Sequence, residues 1–262
     1  STIPSHLSHL LYHKREAGIA SGIVNAPDRS FNPQIDPYLP EKYGPRRHHT
    51  IKPKLKKDLQ KRLLLKEDPS VPILFWPSRL DPIQKGCSLL ADILFQLIND
   101  YSHLGLQIVM IADGPYQQHF QGIVAYHGIS DRIAVQPFSE SLSHLGYGGS
   151  DFVLMPSSFE PCGLPQMIGC RYGSLPIAHA TGGLKDTVRH LNIHENTGNG
   201  FLFEHFTTDG FRWAIDQAME FYQLKPDHKN PQIKRIMEQS KEDFSDERVV
   251  ADYQKIYNDL VN

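Results

Sequence analysis

The sequence predicts an α/β fold in which a parallel sheet is covered by helices on both faces. From Val71 onward, short runs of apolar residues alternate with longer segments of helical periodicity. Strands of a parallel sheet that are buried on both sides have this continuous apolar character, and the helices between them supply the crossover connections. The predicted strands span residues 73–76, 106–111, 132–135, 152–155 and 175–178.

The helices are predicted from apolar residues that recur on one face. The strongest such stripe lies between the first two strands and comprises Leu89, Leu90, Ile93, Leu94, Leu97 and Ile98. Leu55, Leu59 and Leu63 are spaced four residues apart and predict a helix over 53–65, and two more helices are expected at about 209–223 and 246–260. The rest of the first 70 residues is rich in Pro, His and Lys, so little other regular structure is expected there.

The composition gives no indication of a nucleic-acid or membrane partner. The 27 basic and 29 acidic residues leave a formal net charge of −2, and no apolar run approaches the roughly 18 residues of a membrane span. A basic run over 52–57 is interpreted as a solvated helix face or linker. Cys87, Cys162 and Cys170 show no Cys-x-x-Cys spacing, so reduced thiols are expected and no metal site is predicted.

Chemistry is expected in the loops that follow the strands, because ligands of open α/β sheets bind beyond the carboxyl ends of the strands. The loop after the first strand carries Arg79 and Lys85, two cations six residues apart at the start of a helix. A guanidinium fork and an ammonium group together suit a diphosphate. Taken alone, the pair is equally consistent with two surface side chains.

Two further loops carry aromatic and acidic candidates. Phe138 follows the third strand and could stack on a nucleobase or belong to the core. Glu160 lies between the fourth strand and a helix that is expected to begin near Gly163, where backbone N–H groups favour an anion. Taken alone, Glu160 could also be a helix cap. The segment 112–115 after the second strand gives a weaker signal and is interpreted as a simple turn.

The loop after the fifth strand carries adjacent glycines. Thr181, Gly182 and Gly183 lie between that strand and a predicted helix. Glycines let the backbone approach a phosphate closely, and a helix start supplies free N–H donors. A Gly-Gly turn alone is unspecific, but this position in the predicted sheet favours phosphate binding.

In their order and spacing these segments resemble the C-terminal domain of bacterial glycogen synthases and plant starch synthases. Members of this family are retaining glycosyltransferases with two Rossmann-like domains, the GT-B arrangement. The resemblance implies that this chain is the C-terminal, Rossmann-like half of such an enzyme. The matching segments cover nearly the whole chain: Gly-Ile-Val-Asn-Ala-Pro-Asp at 22–28, Gln-Lys-Gly at 84–86, Glu-Pro-Cys-Gly-Leu at 160–164, Arg-Tyr-Gly at 171–173, Thr-Gly-Gly-Leu at 181–184, Asp-Thr-Val at 186–188 and Asp-Phe-Ser at 243–245.

The resemblance implies a role for each candidate residue. Arg79 and Lys85 would bind the phosphates of ADP and stabilise the leaving diphosphate, and Glu160 would lie beside the glucose. These three are the expected catalytic residues. The expected substrate-binding residues are Phe138 on the adenine, Cys162, Gly163 and Leu164 in the sugar pocket, and Thr181, Gly182 and Gly183 on the diphosphate.

The implied function is donor binding in an ADP-glucose:α-1,4-glucan glucosyltransferase. No cofactor is expected besides the substrate ADP-glucose, since cationic side chains would take the role of a metal. Residues 1–24 are expected to be the tail of a missing N-terminal domain and a hinge, 25–245 the nucleotide-sugar-binding domain, and 246–262 a helix that packs back on the N-terminal domain. The chain alone is expected to be inactive. Its compartment would be the cytoplasm of a bacterium or the plastid of a plant.

Two alternatives stay open. One is another retaining GT-B glycosyltransferase, such as a sucrose synthase, although relatives of that kind usually carry a second Glu where this chain has Ile168. The other is a domain that senses a nucleotide or a glucan without catalysis, although such a domain need not keep Glu160, Lys85 and Arg79.

Overall fold

A parallel sheet forms the centre of the computed structural model, which describes residues 5–261. Within those residues six strands pair in the order β3-β2-β1-β4-β5-β6. Their bounds are Ile73–Trp76 (β1), Gln107–Ile111 (β2), Ile133–Gln136 (β3), Phe152–Met155 (β4), Leu175–His179 (β5) and Phe201–Phe203 (β6). The chain first builds the sheet outward from β1 and then returns to add β4 on the other side of β1. This reversal opens a crevice at the carboxyl ends of β1 and β4.

Helices cover both faces of this sheet. They are Ser5–Glu16 (α1), His48–Arg62 (α2), Cys87–Asp100 (α3), Gln117–His127 (α4), Glu140–Gly149 (α5), Pro165–Tyr172 (α6), Gly182–Thr187 (α7), Thr208–Tyr222 (α8), Pro226–Asp243 (α9) and Asp246–Val261 (α10), with a short 3-10 turn at Ser102–Leu104. Successive side chains of β1 enter opposite cores: Leu74 and Trp76 pack under α3 and α8, whereas Ile73 and Phe75 pack under α2 and α5. The predicted α/β fold is therefore confirmed.

The five predicted strands are confirmed, with ends that differ by one residue where they differ at all. The sequence-based prediction did not include β6, which has only three residues, or the helices α1, α4, α5 and α9. The predicted helix 53–65 begins five residues earlier, at His48, and ends at Arg62. The helices expected at 209–223 and 246–260 match α8 and α10 closely.

The interpretation of the basic run 52–57 as a solvated surface was wrong for two of its lysines. Lys52 and Lys56 are 7% and 3% exposed. The Nζ of Lys52 donates to the carbonyl oxygens of Gly148 at 3.0 Å and Tyr172 at 3.1 Å, near the last residues of α5 and α6. Helix C-termini present unpaired carbonyl groups that attract a cation. Lys52 therefore holds three helices together.

The long segment before α2 is anchored by a buried carboxylate. Asp36 is fully buried, and its Oδ2 lies 2.8 Å from Nδ1 of His144 on α5 and accepts a hydrogen bond from the hydroxyl of Tyr172 on α6. The hydroxyl of Tyr43 donates to the carbonyl of Tyr172 at 2.8 Å. These contacts fix the segment against the face of the sheet that α2, α5 and α6 cover.

The two terminal helices differ from the rest of the fold because they pack little. None of the residues of α10, all of them described, is buried, although Val250, Tyr253 and Leu260 are large and apolar. Its start is tied to the segment before α2 by Arg29, whose Nε lies 2.8 Å from Oδ2 of Asp246. Between residues 5 and 261, no helix combines the length and apolar character that crossing a bilayer requires.

Candidate active site

The loops after β1 and β4 meet at the carboxyl edge of the sheet through a salt bridge. The Nζ of Lys85 lies 2.5 Å from Oε2 of Glu160, and the two side chains are 12% and 8% exposed. The residues come from opposite halves of the sheet, 75 positions apart in the chain. Because this edge is where the strand order reverses, the pair lies where ligands of such sheets bind.

The loop that carries Lys85 is shaped by its own backbone. The Oδ1 of Asp81 accepts hydrogen bonds from the N–H groups of Ile83 at 2.9 Å and Gln84 at 2.8 Å. Both hydrogen bonds lower the pKa of Asp81, and the one from Gln84 has the larger effect. Gly86 has a φ of 72°, and a Cβ there would lie 2.0 Å from the carbonyl oxygen of Pro156. Only glycine fits this approach, so the loop is held directly against the end of β4.

Arg79 begins the same loop and is exposed. Its Nη2 lies 3.4 Å from Oε1 of Gln84, a weak contact that leaves most of the guanidinium donors free. The loop therefore carries two cations. Lys85 is bonded to Glu160, whereas Arg79 is open to a ligand.

Glu160 and the loop that carries it are held by hydrogen bonds of three nearby residues. Ser157 donates its hydroxyl proton to the same Oε2 at 3.1 Å. Ser158 ties the loop to the one that carries Lys85, since its N–H donates to the carbonyl of Gln84 at 2.8 Å. The ring of His179, at the end of β5, bonds through Nδ1 to the carbonyl of Ser157 at 2.8 Å. The carboxylate is thus bonded to two side chains, main-chain contacts hold its loop, and it does not cap the following helix as the alternative interpretation required.

The sugar-pocket candidates follow directly. Cys162 is half-buried, Gly163 has a φ of 72°, and Leu164 is 37% exposed at the start of α6. The helix begins at Pro165, two residues later than the sequence predicted. Gln166 holds this turn by donating through Nε2 to the carbonyls of Cys162 at 3.1 Å and Gly163 at 2.8 Å.

The glycine loop after β5 closes over the Glu160 loop. The N–H of Gly183 donates to the carbonyl of Glu160 at 2.9 Å. A Cβ on Gly182 would lie 2.3 Å from that carbonyl oxygen, and one on Gly183 would lie 2.2 Å from the carbonyl oxygen of Cys162. Thr181 takes the N-cap position of α7, but its side chain makes no capping hydrogen bond. Its hydroxyl is therefore not committed to the helix.

Phe138 is 57% exposed, so the core alternative is wrong. Its N–H donates to Oδ1 of Asp113 at 3.1 Å, and the carbonyl of Asp113 accepts from the N–H of Leu80 at 2.9 Å. Asp113 therefore joins the loops after β1, β2 and β3. The sequence-based interpretation missed this function of Asp113 because a strand followed by Asp-Gly occurs in many α/β turns.

The structure brings together Lys85, Glu160, Cys162, Gly182 and Gly183 through direct contacts. Arg79 lies on the loop of Lys85 and Phe138 on a neighbouring loop, and their hydrogen bonds go to Gln84 and Asp113 rather than to Glu160. Ser157 was not predicted, although it lies three residues before Glu160, a spacing that a hydroxyl can bridge within one turn.

Two further features of the described residues bear on this site. No group of three or more His, Cys, Asp or Glu side chains there is arranged to hold a metal ion. A cavity of about 470 Å³ lies between segment 22–26, segment 196–199 and the junction of α9 with α10. None of the predicted site residues lines that cavity.

Comparisons with known proteins agree with this arrangement. The family described as glycosyl transferases group 1 matches residues 56–234. The chain is 37% identical over 225 residues to a glycogen synthase of Desulforamulus reducens, which covers 84% of this chain and 44% of that protein. It is 35% identical over 261 residues to a glycogen synthase of Streptococcus pneumoniae, covering 98% of this chain and 52% of that protein.

Solved structures give the same picture. The catalytic domain of starch synthase IV from Arabidopsis thaliana, bound to ADP and acarbose, superposes with a TM-score of 0.83 at 32% identity, over 96% of this chain and 50% of that one. WaaG, a glycosyltransferase of lipopolysaccharide biosynthesis, superposes with a TM-score of 0.63 at 12% identity, over 93% of this chain and 57% of that one. The latter likeness concerns the fold alone. The chain spans about half the length of the curated relatives it matches.

Proposed function

Because the chain belongs to the glycosyl transferases group 1 family, we propose that it is the donor-binding half of an ADP-glucose:α-1,4-glucan 4-α-glucosyltransferase. The similarity to glycogen synthases and to a starch synthase bound to ADP supports this substrate class. The reaction would transfer glucose from the diphosphate to a glucan acceptor with retention of configuration at the anomeric carbon.

The observation that carries the proposal is the salt bridge between Lys85 and Glu160. Retaining transfer leaves negative charge on the departing diphosphate and positive charge on the anomeric carbon. An ammonium group and a carboxylate in contact, at the crevice of the sheet, match these two charges. An ammonium has three donors, so Lys85 can bind a phosphate oxygen while it keeps its bond to Glu160.

Each catalytic group then has a distinct role. Lys85 and Arg79 stabilise the diphosphate as the bond from the anomeric carbon to its oxygen breaks. Glu160 stabilises the positive charge on that carbon, or holds the sugar where the charge develops. Fixed charges of this kind act without reorganising during the reaction, and they supply the charge stabilisation for which other transferases use a metal ion.

The remaining predicted residues would bind the substrate. Phe138 is exposed beside the crevice and would stack on the adenine, and the uncommitted hydroxyl of Thr181 would donate to a phosphate. Gly182 and Gly183 would add close backbone contacts to the same diphosphate. Cys162, Gly163 and Leu164 would line the glucose pocket.

We also propose that residues 25–245 form the nucleotide-sugar-binding domain, while 1–24 and 246–262 connect it to an N-terminal domain that holds the glucan acceptor. This arrangement is supported by the exposed apolar side chains on α1 and α10, among them Leu10, Leu11 and Tyr253. Exposed apolar faces of this kind usually mark surfaces that pack against another protein domain or chain. The position of a possible second catalytic Glu is occupied by Ile168, which is 4% exposed in the core. This favours a synthase over a sucrose synthase-like enzyme.

Competition binding tests the proposal most directly. A fluorescent ADP derivative bound to the chain should be displaced by ADP-glucose at lower concentrations than by UDP-glucose or GDP-mannose. Phe138→Ala should weaken the binding of all three donors, because the base of each would lose its stacking surface. Equal displacement by all three donors, or no binding of any, would refute the assignment of an ADP-sugar donor site.

A further inference from the structure

The two oxygens of the Glu160 carboxylate have different surroundings. Oε2 receives both hydrogen bonds that the side chain accepts, from Nζ of Lys85 at 2.5 Å and from Oγ of Ser157 at 3.1 Å. Oε1 accepts none from the described residues and is not enclosed by them. The carboxylate is therefore fixed through one oxygen, and the other is the oxygen that a sugar in the crevice can reach.

Ser157 is too enclosed to meet a substrate directly. It is 1% exposed, and its hydroxyl has a single proton, which it donates to Glu160. Its main chain is fixed as well, because Nδ1 of His179 lies 2.8 Å from its carbonyl oxygen. A carbonyl oxygen only accepts, so Nδ1 carries the proton of this hydrogen bond. Ser157 can therefore act on a ligand only through Glu160.

His179 is itself held in place by aromatic rings. It is the last residue of β5 and is buried, and the centre of its ring lies 5.2 Å from that of Phe203 and 5.1 Å from that of Phe206. Rings at such separations contact one another and restrict one another's orientation. A continuous set of contacts thus runs from the ends of β5 and β6 through His179 and Ser157 to Oε2 of Glu160.

Lys85 and Ser157 differ in what a bound donor does to them. Under the proposed function, the ammonium of Lys85 is shared between Glu160 and the diphosphate, whose negative charge grows as it departs. The hydroxyl of Ser157 is neutral and enclosed, so the diphosphate does not compete for it. Ser157 is therefore the contact that still holds the carboxylate when positive charge develops on the anomeric carbon.

We propose that Ser157, supported by His179, is a positioning residue for glucosyl transfer. Its hydrogen bond to Oε2 keeps Oε1 of Glu160 beside the anomeric carbon of the donor glucose. This inference rests on the proposed function of the site. A charge that is fixed before the reaction stabilises the transition state without reorganisation. Loss of the hydrogen bond should therefore slow the reaction of bound donor and should hardly affect how tightly the donor binds.

The kinetics of the complete enzyme test this role. Ser157→Ala should lower kcat for glucose transfer from ADP-glucose by about 10- to 100-fold, which corresponds to the loss of a hydrogen bond to a charged group. KM for ADP-glucose should change by about twofold or less, because Ser157 does not touch the donor. Ser70→Ala is the matched control, since it deletes an exposed hydroxyl that donates to Oδ1 of Asp68 at 2.6 Å before β1. It should leave both kinetic constants unchanged.

A double-mutant cycle with Glu160→Ala separates positioning from a general disturbance of the fold. If Ser157 acts through the carboxylate, Ser157→Ala should lower kcat by only about threefold or less in the Glu160→Ala enzyme, because the effects of coupled residues are not additive. His179→Phe keeps a ring against Phe203 and Phe206 but loses the hydrogen bond to Ser157. It should also lower kcat only when Glu160 is present, and it serves if Ser157→Ala fails to fold.

Two results would overturn the inference and leave the proposed function standing. One is near-normal kcat in a folded Ser157→Ala or His179→Phe enzyme. The other is an equal fold loss of kcat with and without Glu160, which would mean that Ser157 supports the structure in general. A complete enzyme that transfers no glucose from ADP-glucose would instead refute the proposed function, and this inference with it.

Discussion

The ammonium of Lys85 and the carboxylate of Glu160 are in contact at 2.5 Å, so each of the two proposed catalytic charges is the other's partner. The sequence suggested a phosphate-binding lysine and a sugar-binding glutamate as separate features. Their contact means that the site is assembled before any donor arrives. It also means that replacing either residue leaves the other charge largely buried with fewer partners.

The contact should be measurable as an energetic coupling. Lys85→Met leaves Glu160 with only the hydroxyl of Ser157, and a buried group that loses a partner costs about 1–3 kcal/mol. Urea unfolding of Lys85→Met, Glu160→Gln and the double variant should give a double variant that is less destabilised than the sum of the two. Lys57→Met, exposed on α2, should stay within about 0.5 kcal/mol of the original chain. Additive losses would show that the salt bridge contributes nothing to stability.

Glu160→Gln in the complete enzyme should lower kcat much more than it raises KM for ADP-glucose. The amide keeps the size of the side chain but removes the charge that stabilises the transition state. Losses of such preorganised charge are on the order of 10²–10³ in rate. The assay is glucose incorporation into glycogen, with thermal melting as the check on folding. Near-normal kcat would reduce Glu160 to a structural residue.

Nucleotide binding should not require a divalent cation. Arg79 and Lys85 supply positive charge at the crevice, and Arg79 is open to a ligand. The dissociation constant of ADP, measured by titration calorimetry, should be the same in EDTA as in Mg²⁺ to within about threefold, a change of less than the 1.4 kcal/mol that a factor of ten represents. An affinity that appears only when Mg²⁺ or Mn²⁺ is added contradicts the assignment.

Phe138→Ala should weaken ADP binding without weakening pyrophosphate binding. Stacking of a base on an aromatic ring contributes about 1–3 kcal/mol, and pyrophosphate has no base to lose. Because the ring is 57% exposed, the substitution should leave the melting temperature nearly unchanged. Phe138→Tyr is the matched control and should keep the affinity for ADP. A parallel loss of affinity for pyrophosphate would indicate a disturbed loop instead of a lost stacking surface.

Asp36 should make the fold sensitive to acid. Burial opposes ionisation of this carboxyl, but hydrogen bonds from His144, Tyr172 and the N–H of Tyr38 outweigh it and lower its pKa below 3.8. A carboxyl whose pKa is lower when folded contributes stability above about pH 4 and loses it as the pH falls through the folded value. Urea unfolding between pH 3 and 7 should therefore show a steeper acid loss than in Asp36→Asn. Asp92→Asn, an exposed site with the same charge change, should keep the original slope.

A feature of this fold can be predicted from the sequence when the residues that determine it are close together in the chain. Strands such as Phe152–Met155 were predicted because four consecutive apolar residues mark burial on both faces. Helix α9 was not predicted, and it contains two prolines, a residue type that usually marks a turn: Pro226 takes its first position and Pro231 lies in its second turn. The burial of Lys52 escaped because its partners are backbone carbonyls, which no residue pattern reveals.

In the candidate site too, contacts between residues that are distant in the chain could not be predicted. Lys85 and Glu160 were found individually, by their positions after strands and by the resemblance to a family. Their contact depends on β1 and β4 being neighbours, and it joins residues 75 positions apart. Asp113 and Ser157 act through hydrogen bonds to other loops, so only the folded chain identifies them.

The absence of side chains at Gly86, Gly182 and Gly183 has a consequence for how such an enzyme can change. Any added Cβ at these positions would meet a backbone oxygen at 2.3 Å or less. Even the smallest substitution at these positions, glycine to alanine, would displace a neighbouring loop. Natural variation and laboratory selection are therefore expected to keep the glycines. New donor preferences would have to arise where the crevice is open, above all around the exposed ring of Phe138. In evolutionary terms, the proposed phosphate-binding half of the site tolerates little change, and the proposed base-binding half is where new donor preferences can arise.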